Sequence, residues 1–135
     1  MTSNSISNRK DARDSLVTAL TTITGWQAIF DHLPVDLQGQ SPVCTVEAAS
    51  QMTTFDPAVS ETFQFIVGVW VLRASKDGSD AAGAEDALDV LAQDVTEIVQ
   101  AWHNGIFYQP SEATYEELEN GQYRVEWFYV QVDWE

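Results

Sequence analysis

The run from Thr62 to Ala74 constrains the fold more strongly than any other segment, because it is apolar on both sides. Residues that alternate along a strand lie on opposite faces of the sheet. One face carries Phe63, Phe65, Val67, Val69 and Val71, and the other carries Ile66, Trp70 and Leu72. Such a strand has to be covered on both faces, so it is predicted to be a central strand.

Two segments with a helical period lie before and after this strand. Asn8 is predicted to cap the first helix and Gly25 to end it, whereas Ser79 or Asp80 is predicted to cap the second. The apolar positions recur three or four residues apart, at Ala12, Leu16, Leu20 and Ile23 in the first helix and at Ala84, Leu88, Leu91, Val95, Ile98 and Trp102 in the second. Each helix therefore has one apolar stripe to bury.

Two shorter runs indicate further strands. Val43 to Ala49 has a strand-like composition, and Trp26 to Phe30 is either a strand, which we favour, or a packed connection. Ser50 to Ser60 has no period and is expected to be a mobile loop or a contact arm. The order is then helix, two or three strands, helix and hairpin. It predicts one α+β domain over residues 1–135, with a mixed, largely antiparallel sheet of four to five strands and two helices packed on one face.

A hairpin is predicted at Asn120-Gly121, which separates two extended runs, because both residues tolerate positive φ. Counting outwards from this turn pairs Leu118 with Tyr123. Both strands of the hairpin thereby join the sheet.

The last strand changes the phase of its apolar positions. Its first half has Val125, Trp127 and Tyr129 on one face, whereas its second half has Phe128, Val130, Val132 and Trp134 on the other. Either a bulge near residues 128 and 129 re-aims the strand, or the two halves bury different faces against different neighbours. The second alternative implies a partner chain, with a subunit interface at Trp127, Tyr129, Val130, Val132 and Trp134.

The charge of the chain argues against tight binding of nucleic acid. Six Lys and Arg stand against 21 Asp and Glu, which gives a formal net charge of -15. Proteins that hold phosphates by counterion release have the opposite sign. Three of the bases, Arg9, Lys10 and Arg13, lie near the start, so the remainder is more acidic still.

Cysteine usage and hydropathy indicate the compartment. The single Cys44 cannot form an internal disulfide, and the start from Met1 to Asn8 lacks the apolar core of a signal peptide. No apolar run approaches the roughly 20 residues that cross a bilayer. We therefore expect a protein of a reducing cytoplasm that does not associate with membranes.

No set of residues predicts catalysis, a cofactor or a metal site. His32, His103 and Cys44 lie in unrelated segments; Cys44 is expected in the core and His103 in the last turn of the second helix. The other candidates are expected to be solvated surface or a capped turn, namely the carboxylates Asp86, Asp89, Glu116, Glu117 and Glu119 and the turn residues Asp77, Ser79 and Asp80. The protein is therefore not expected to be an enzyme.

Four features together span nearly the entire chain. They are an N-terminal helix opening with Asn8-Arg9-Lys10-Asp11, the hydrophobic strand Phe63 to Leu72, a long acidic helix around Leu88 to Trp102, and a closing hairpin that ends Trp127-Phe128-Tyr129-Val130-Gln131-Val132. This arrangement resembles the tail terminator, or tail completion, proteins of long-tailed bacteriophages. The resemblance brings no catalytic residue with it.

The resemblance implies a structural virion protein that assembles as a ring, usually a hexamer. Such a ring caps the tail tube, stops polymerisation of the tube protein and joins the tail to the head connector. The protein would then lie at the head-proximal end of the tail in the virion and in the host cytoplasm during assembly. An acidic lumen would let DNA pass without binding it.

Two alternatives stay open at the sequence level. A head-tail connector, or neck, protein of similar size would show the same pattern. A small enzyme or ligand-binding α+β domain would need a pocket between helix and sheet with convergent polar groups.

Overall fold

The computed structural model describes residues 5–49, 61–73, 81–103, 105–118 and 121–134. The elements in these ranges are α1 (Ser5–Leu20), β1 (Ala28–Phe30), β2 (Val43–Ala48), β3 (Glu61–Leu72), α2 (Ala81–Ala101), β4 (Ile106–Leu118) and β5 (Gly121–Trp134). The loop expected at Ser50 to Ser60 and the caps expected at Ser79 or Asp80 lie outside the described residues.

The five described strands form one sheet in the order β1-β2-β3-β5-β4. β1 runs parallel to β2, and the other neighbours are antiparallel. The doubly apolar run lies at the centre as β3. Both helices pack on one face, α1 on β2 and β3 and α2 on β3 and β5. The predicted α+β fold, with a mixed and largely antiparallel sheet, is confirmed, and the strand predicted over Trp26 to Phe30 is present as the shorter β1.

The main core fills the space between the helices and the sheet. Its buried members include Leu16 and Leu20 of α1, Leu88, Val95 and Val99 of α2, Phe63, Phe65 and Val67 of β3, and Phe128, Val130 and Val132 of β5. Both predicted stripes are buried except at Ile98, which is half-buried because Val99 takes the inward position.

The ends of α1 differ from the prediction. The helix begins at Ser5, so Asn8 lies inside it and the predicted cap is wrong. It ends at Leu20, after which a turn leads to Gly25 at a φ of 108°. Ile23 lies beyond the helix and is still buried. An apolar stripe fixes which face is buried, but it does not fix where the backbone leaves the helix.

The predicted hairpin is present, but its register differs. Leu118 pairs with Gly121 rather than with Tyr123, and Tyr123 pairs with Glu116. Gly121, at a φ of 141°, is therefore the first residue of β5 and not part of a two-residue loop.

β5 itself is regular. It pairs with β3 without a shift from Leu72–Tyr123 to Glu61–Trp134, so the bulge expected near residues 128 and 129 is wrong. The register shifts lie in the neighbouring strand β4, between Phe107 and Glu112. The two halves of β5 bury different faces, as the other alternative expected, but both sets of neighbours belong to the same chain.

Candidate interaction surfaces

A second apolar cluster lies on the sheet face opposite the helices. Its buried members are Leu37, Val43, Trp70, Tyr123 and Val125, and Trp127 packs against them. The ring of Trp70 lies edge-on to those of Tyr123 and Trp127, with centroids 5.9 and 5.3 Å away. Its indole N–H donates to Thr45 Oγ1 at 3.0 Å. This cluster covers the first half of β5 from within the chain.

Gly68 provides the space for this cluster. A Cβ at Gly68 would lie 2.7 Å from Thr45 Oγ1, 2.8 Å from Trp70 Nε1 and 2.9 Å from Trp127 Cζ3. The glycine that stands alone inside β3 is thus explained by the close approach of two indole rings and a hydroxyl.

The connection from β1 to β2 covers one end of the cluster. Leu37 is buried there, and the Tyr123 hydroxyl donates to the backbone oxygen of Gln40 at 2.8 Å. Burial, followed by the charge of Asp36, raises the pKa of Tyr123. The hydrogen bond from Tyr123 therefore attaches the connection to β5.

The remainder of this face, along the second half of β5, is polar. Thr62 Oγ1 donates to Asp133 at 2.8 Å, and Gln64 Nε2 donates to Gln131 at 3.1 Å. These cross-strand pairs join β3 and β5 on the side that the connection does not reach. This half of the face is a polar surface beside the apolar cluster.

Tyr129 lies at the edge of this polar surface, next to the register shifts of β4. Its hydroxyl donates to Glu112 Oε1, and its ring lies 5.8 Å from that of Tyr108. The hydrogen bond to Glu112, together with burial, raises the pKa of Tyr129 to about 12. The hydrogen bond to Glu112 and the ring contact with Tyr108 thus hold the half-exposed side chain of Tyr129 in place.

The residues predicted for a subunit interface do not share one surface. Val130 and Val132 are buried against the helices, so they cannot contact a neighbour while the chain is folded. Trp127 is half-buried beside Trp70 and donates to Thr114 Oγ1 at 2.9 Å. Tyr129 and Trp134 are half-buried and lie on opposite faces of the sheet. Only parts of these last three side chains are available to a partner.

Trp134 contacts residues of its own chain at the end of α2. Its ring centroid lies 4.9 Å from that of His103 and 6.2 Å from that of Trp102. Trp102 in turn donates to Ser15 Oγ at 2.9 Å, which joins α2 to α1. The end of β5 therefore packs on the junction of the two helices.

A shallow groove of about 450 Å³ lies at this junction. It is lined by Ala19, Thr22, Ile98, Ala101, Trp102 and His103. Apart from Thr22 and His103 the lining is apolar or aromatic. The groove has no convergent set of carboxylates, thiols or bases, which a catalytic pocket would need.

One flank of the molecule is formed by α2 and β4. Arg124 of β5 donates to Glu85 Oε1 of α2 at 2.7 Å, and Asp89 is one turn further along the same side of the helix. On the helix side of the edge strand β4, Tyr115 and Glu117 are exposed. Glu126 of β5 is half-buried on the same side of the sheet as Arg124. We call this surface the α2–β4 flank and define it by Asp89, Tyr115, Glu117 and Glu126.

Tyr115 is the aromatic centre of this flank. The guanidinium groups of Arg124 and Arg73 lie 4.4 and 5.1 Å from its ring centroid. Both cations are also held by neighbours, Arg124 by Glu85 and Arg73 by Gln122 at 2.6 Å. Tyr115 is nevertheless 51% exposed.

The opposite flank is formed by α1. Ser15 and Ala19 face α2. Arg13 lies on the other side of the helix, near Asp31. The pKa of Asp31 is lowered by its hydrogen bond with His32 and, to a smaller extent, by the charge of Arg13. Arg9 is one turn before Arg13 and shares its side. With Lys10, which forms an ion pair with Asp14 at 2.8 Å, these bases define the α1 flank: Arg9, Lys10 and Arg13.

The residues that sequence analysis weighed for nucleophilic chemistry are not brought together. Cys44 is buried in the main core, where burial raises the pKa of its thiol. His32 is exposed after β1, beside Asp31. His103 is exposed two residues beyond the end of α2 and not in its last turn. The carboxylates Asp86, Asp89 and Glu117 are exposed, whereas Glu116 is half-buried.

The described ranges have neither a metal-binding cluster nor a helix that could cross a membrane. They contain no group of three or more His, Cys, Asp or Glu arranged to hold a metal ion. Neither helix is long and apolar enough to cross a membrane. The positions Asp77, Ser79, Asp80 and Glu119 lie outside these ranges.

Sequence analysis missed the roles of Tyr115 and Arg124. The signal that could have found them is the alternation Thr114, Tyr115, Glu116 in a run that also contains Pro110, a residue that sheets tolerate at an edge. An aromatic residue on an exposed edge strand is a common element of protein interfaces.

No family model matches the chain, and no curated protein matches it. Among solved structures it is similar to a chain of the "Virion of native gene transfer agent (GTA) particle", with a TM-score of 0.48 and 14% identity over 98% of this chain and 100% of that chain. A likeness this distant assigns no function.

Proposed function

We propose that this chain is a structural protein of a phage or phage-like virion. Copies of it form a ring that caps the tail tube, stops tube polymerisation and joins the tail to the head connector. The observation that carries the proposal is the arrangement of elements. The elements occur in the order expected from the resemblance to tail terminator proteins: a helix, a doubly buried strand, an acidic helix and an aromatic closing hairpin.

The acidity of the chain agrees with a channel for DNA. Its net charge is -15, and α2 carries five carboxylates and no base, at Glu85, Asp86, Asp89, Asp94 and Glu97. Like charge suppresses the phosphate contacts that give nucleic-acid affinity. A ring of such subunits would not hold passing DNA.

Contacts made by the closing strand are part of this proposal. Of the five interface residues expected there, Trp127, Tyr129 and Trp134 are partly exposed and Val130 and Val132 are not. The subunit contacts expected of this strand therefore involve only the exposed edges of these three rings. Their substitution changes the surface while the valine core stays in place.

The test is complementation of a deletion of this gene in the particle that encodes it, with tail lengths measured by electron microscopy. The proposal expects overlong tails without the protein and tails of normal length with it. Tails of normal length that fail to join heads would show a neck protein instead. Normal, joined tails in the deletion would contradict both functions.

A further inference from the structure

The molecule has flanks of different charge on its two sides, and we propose that they bind each other in neighbouring copies. The α1 flank of one copy docks on the α2–β4 flank of the next. This inference rests on the ring proposed above and identifies the surfaces that close it. The partner is thus a second copy of the same chain.

The two flanks lie at opposite ends of the sheet. α1 packs on β2 and β3, and its bases are on the side turned away from α2, towards β1. α2 packs on β3 and β5, and its Glu85 and Asp89 are on the side towards β5 and β4. Since β1 and β4 are the two edges of the described sheet, the flanks point in opposite directions.

The charges of the two flanks are complementary. α1 is the only one of the described elements whose charges sum to a positive value, with Arg9, Lys10 and Arg13 against Asp11 and Asp14. On the α2–β4 flank the carboxylates of Glu85, Asp89, Glu117 and Glu126 outnumber the guanidinium groups of Arg73 and Arg124, which lie over the Tyr115 ring. A favourable field between the flanks would steer their encounter and fix their orientation.

The same charges exclude the simplest symmetric dimer. A two-fold axis through the α2–β4 flank would place carboxylates opposite carboxylates, which is unfavourable. Contact between unlike flanks has no such cost. Because a contact of this kind is head-to-tail, an open assembly always has one free flank of each type, one at each end, and it closes as a ring where the rotation between copies brings these ends together.

Each flank also has groups suited to a contact. Tyr115, which is 51% exposed beside Arg73 and Arg124, has the aromatic character that interface centres favour. On the other flank, Arg9 and Arg13 are half-buried, so each side chain is partly accessible to a carboxylate of a neighbouring copy.

The experiment reverses the charge of each flank separately. One variant is Arg9→Glu/Arg13→Glu, and the other is Asp89→Lys/Glu117→Lys. Each should remain folded by circular dichroism. In sedimentation velocity at low salt, the affinity of each variant for itself should be lower than that of wild type by about tenfold or more. An equimolar mixture of the two should recover the association, because each flank then meets one of opposite charge.

The matched control is Glu47→Lys/Glu97→Lys, which changes the net charge by the same amount as the second variant at positions outside both flanks. It should associate like wild type. A control that weakens association equally, a mixture that stays monomeric, or a wild-type chain that is monomeric up to its solubility limit would overturn the interface. A ring could then still form through other surfaces, and the tail-length assay tests that separately.

Discussion

Gly68 controls how closely the two indole rings of the smaller cluster approach β3. Gly68→Ala should lower the free energy of unfolding by about 1–3 kcal/mol, because the new methyl group would displace Thr45, Trp70 or Trp127 from close contact. Chemical denaturation followed by tryptophan fluorescence measures the change.

The control is a glycine with open space around it. Gly83 lies in α2, and no atom comes within 4 Å of a Cβ built there. Gly83→Ala should raise the free energy of unfolding by about 0.5–1 kcal/mol, since alanine loses less entropy in a helix. If both substitutions acted with the same sign, the crowding argument at Gly68 would fail.

Tyr129 gives the protein a dependence on alkaline pH. Its pKa is raised from 10.0 to about 12 in the folded chain, so the folded state holds this proton more tightly than the unfolded state. The resulting stabilisation is complete below pH 10 and is lost as the pH rises towards 12.

Denaturation at several alkaline pH values measures this loss. In Tyr129→Phe the fall in the free energy of unfolding across that range should be smaller than in wild type. Tyr108 and Tyr123, whose pKa values burial also raises, contribute to the slope that remains. Equal slopes in the two proteins would show that Glu112 does not hold the tyrosine proton.

At the scale of elements, the end of β5 belongs to the core. Removal of residues 132–135 takes away the buried Val132 and the backbone pairing of β5 with Glu61 to Phe63. Loss of a buried aliphatic side chain alone costs about 2–5 kcal/mol. The truncated chain should therefore melt at a markedly lower temperature than wild type.

Trp134→Ala is the comparison that keeps this pairing. It removes only the ring that packs on Trp102 and His103, so its melting temperature should lie between those of wild type and the truncated chain. Calorimetry on the three proteins tests the order. A truncated chain as stable as wild type would mean that the last paired residues of β3 and β5 contribute little to the stability of the fold.

The elements could be predicted where one periodicity determines the structure. The alternation in β3 and the stripes of the helices need only local spacing, and both were confirmed. The cap at Asn8 and the pairing of Leu118 with Tyr123 were wrong. Neighbouring positions for a helix end, and neighbouring registers of a hairpin, differ little in free energy, so a local pattern does not decide between them. The phase change in β5 was observed correctly, but its cause depended on the connection that carries Leu37, which has no period.

At the scale of the whole molecule, the acid excess outweighs the local bases of α1. The intact chain should therefore bind duplex DNA negligibly at physiological salt, because the net charge of -15 repels phosphates. A gel-shift assay at micromolar protein is the measurement. A shift that weakens steeply with added salt would show that Arg9, Lys10 and Arg13 bind DNA despite the overall charge.

The candidate surfaces could be predicted only in part. Sequence alone indicated that the first bases are distinct from the acidic remainder, since this needs only their positions in the chain. It could not place them opposite β4, because that depends on which side of β3 each helix covers. The interface expected on β5 combined residues from both faces for the same reason.

Chain connectivity around β3 has a consequence for the order of folding. β5 pairs with β4 through a short turn, whereas its pairing with β3 joins Leu72 to Tyr123 across the whole of α2. Closing so large a loop costs more conformational entropy than closing a hairpin, and is therefore slower. The hairpin and α2 should thus form early, and the contact of Trp70 with Trp127 should appear with the last, rate-limiting step, in which the centre of the sheet is assembled.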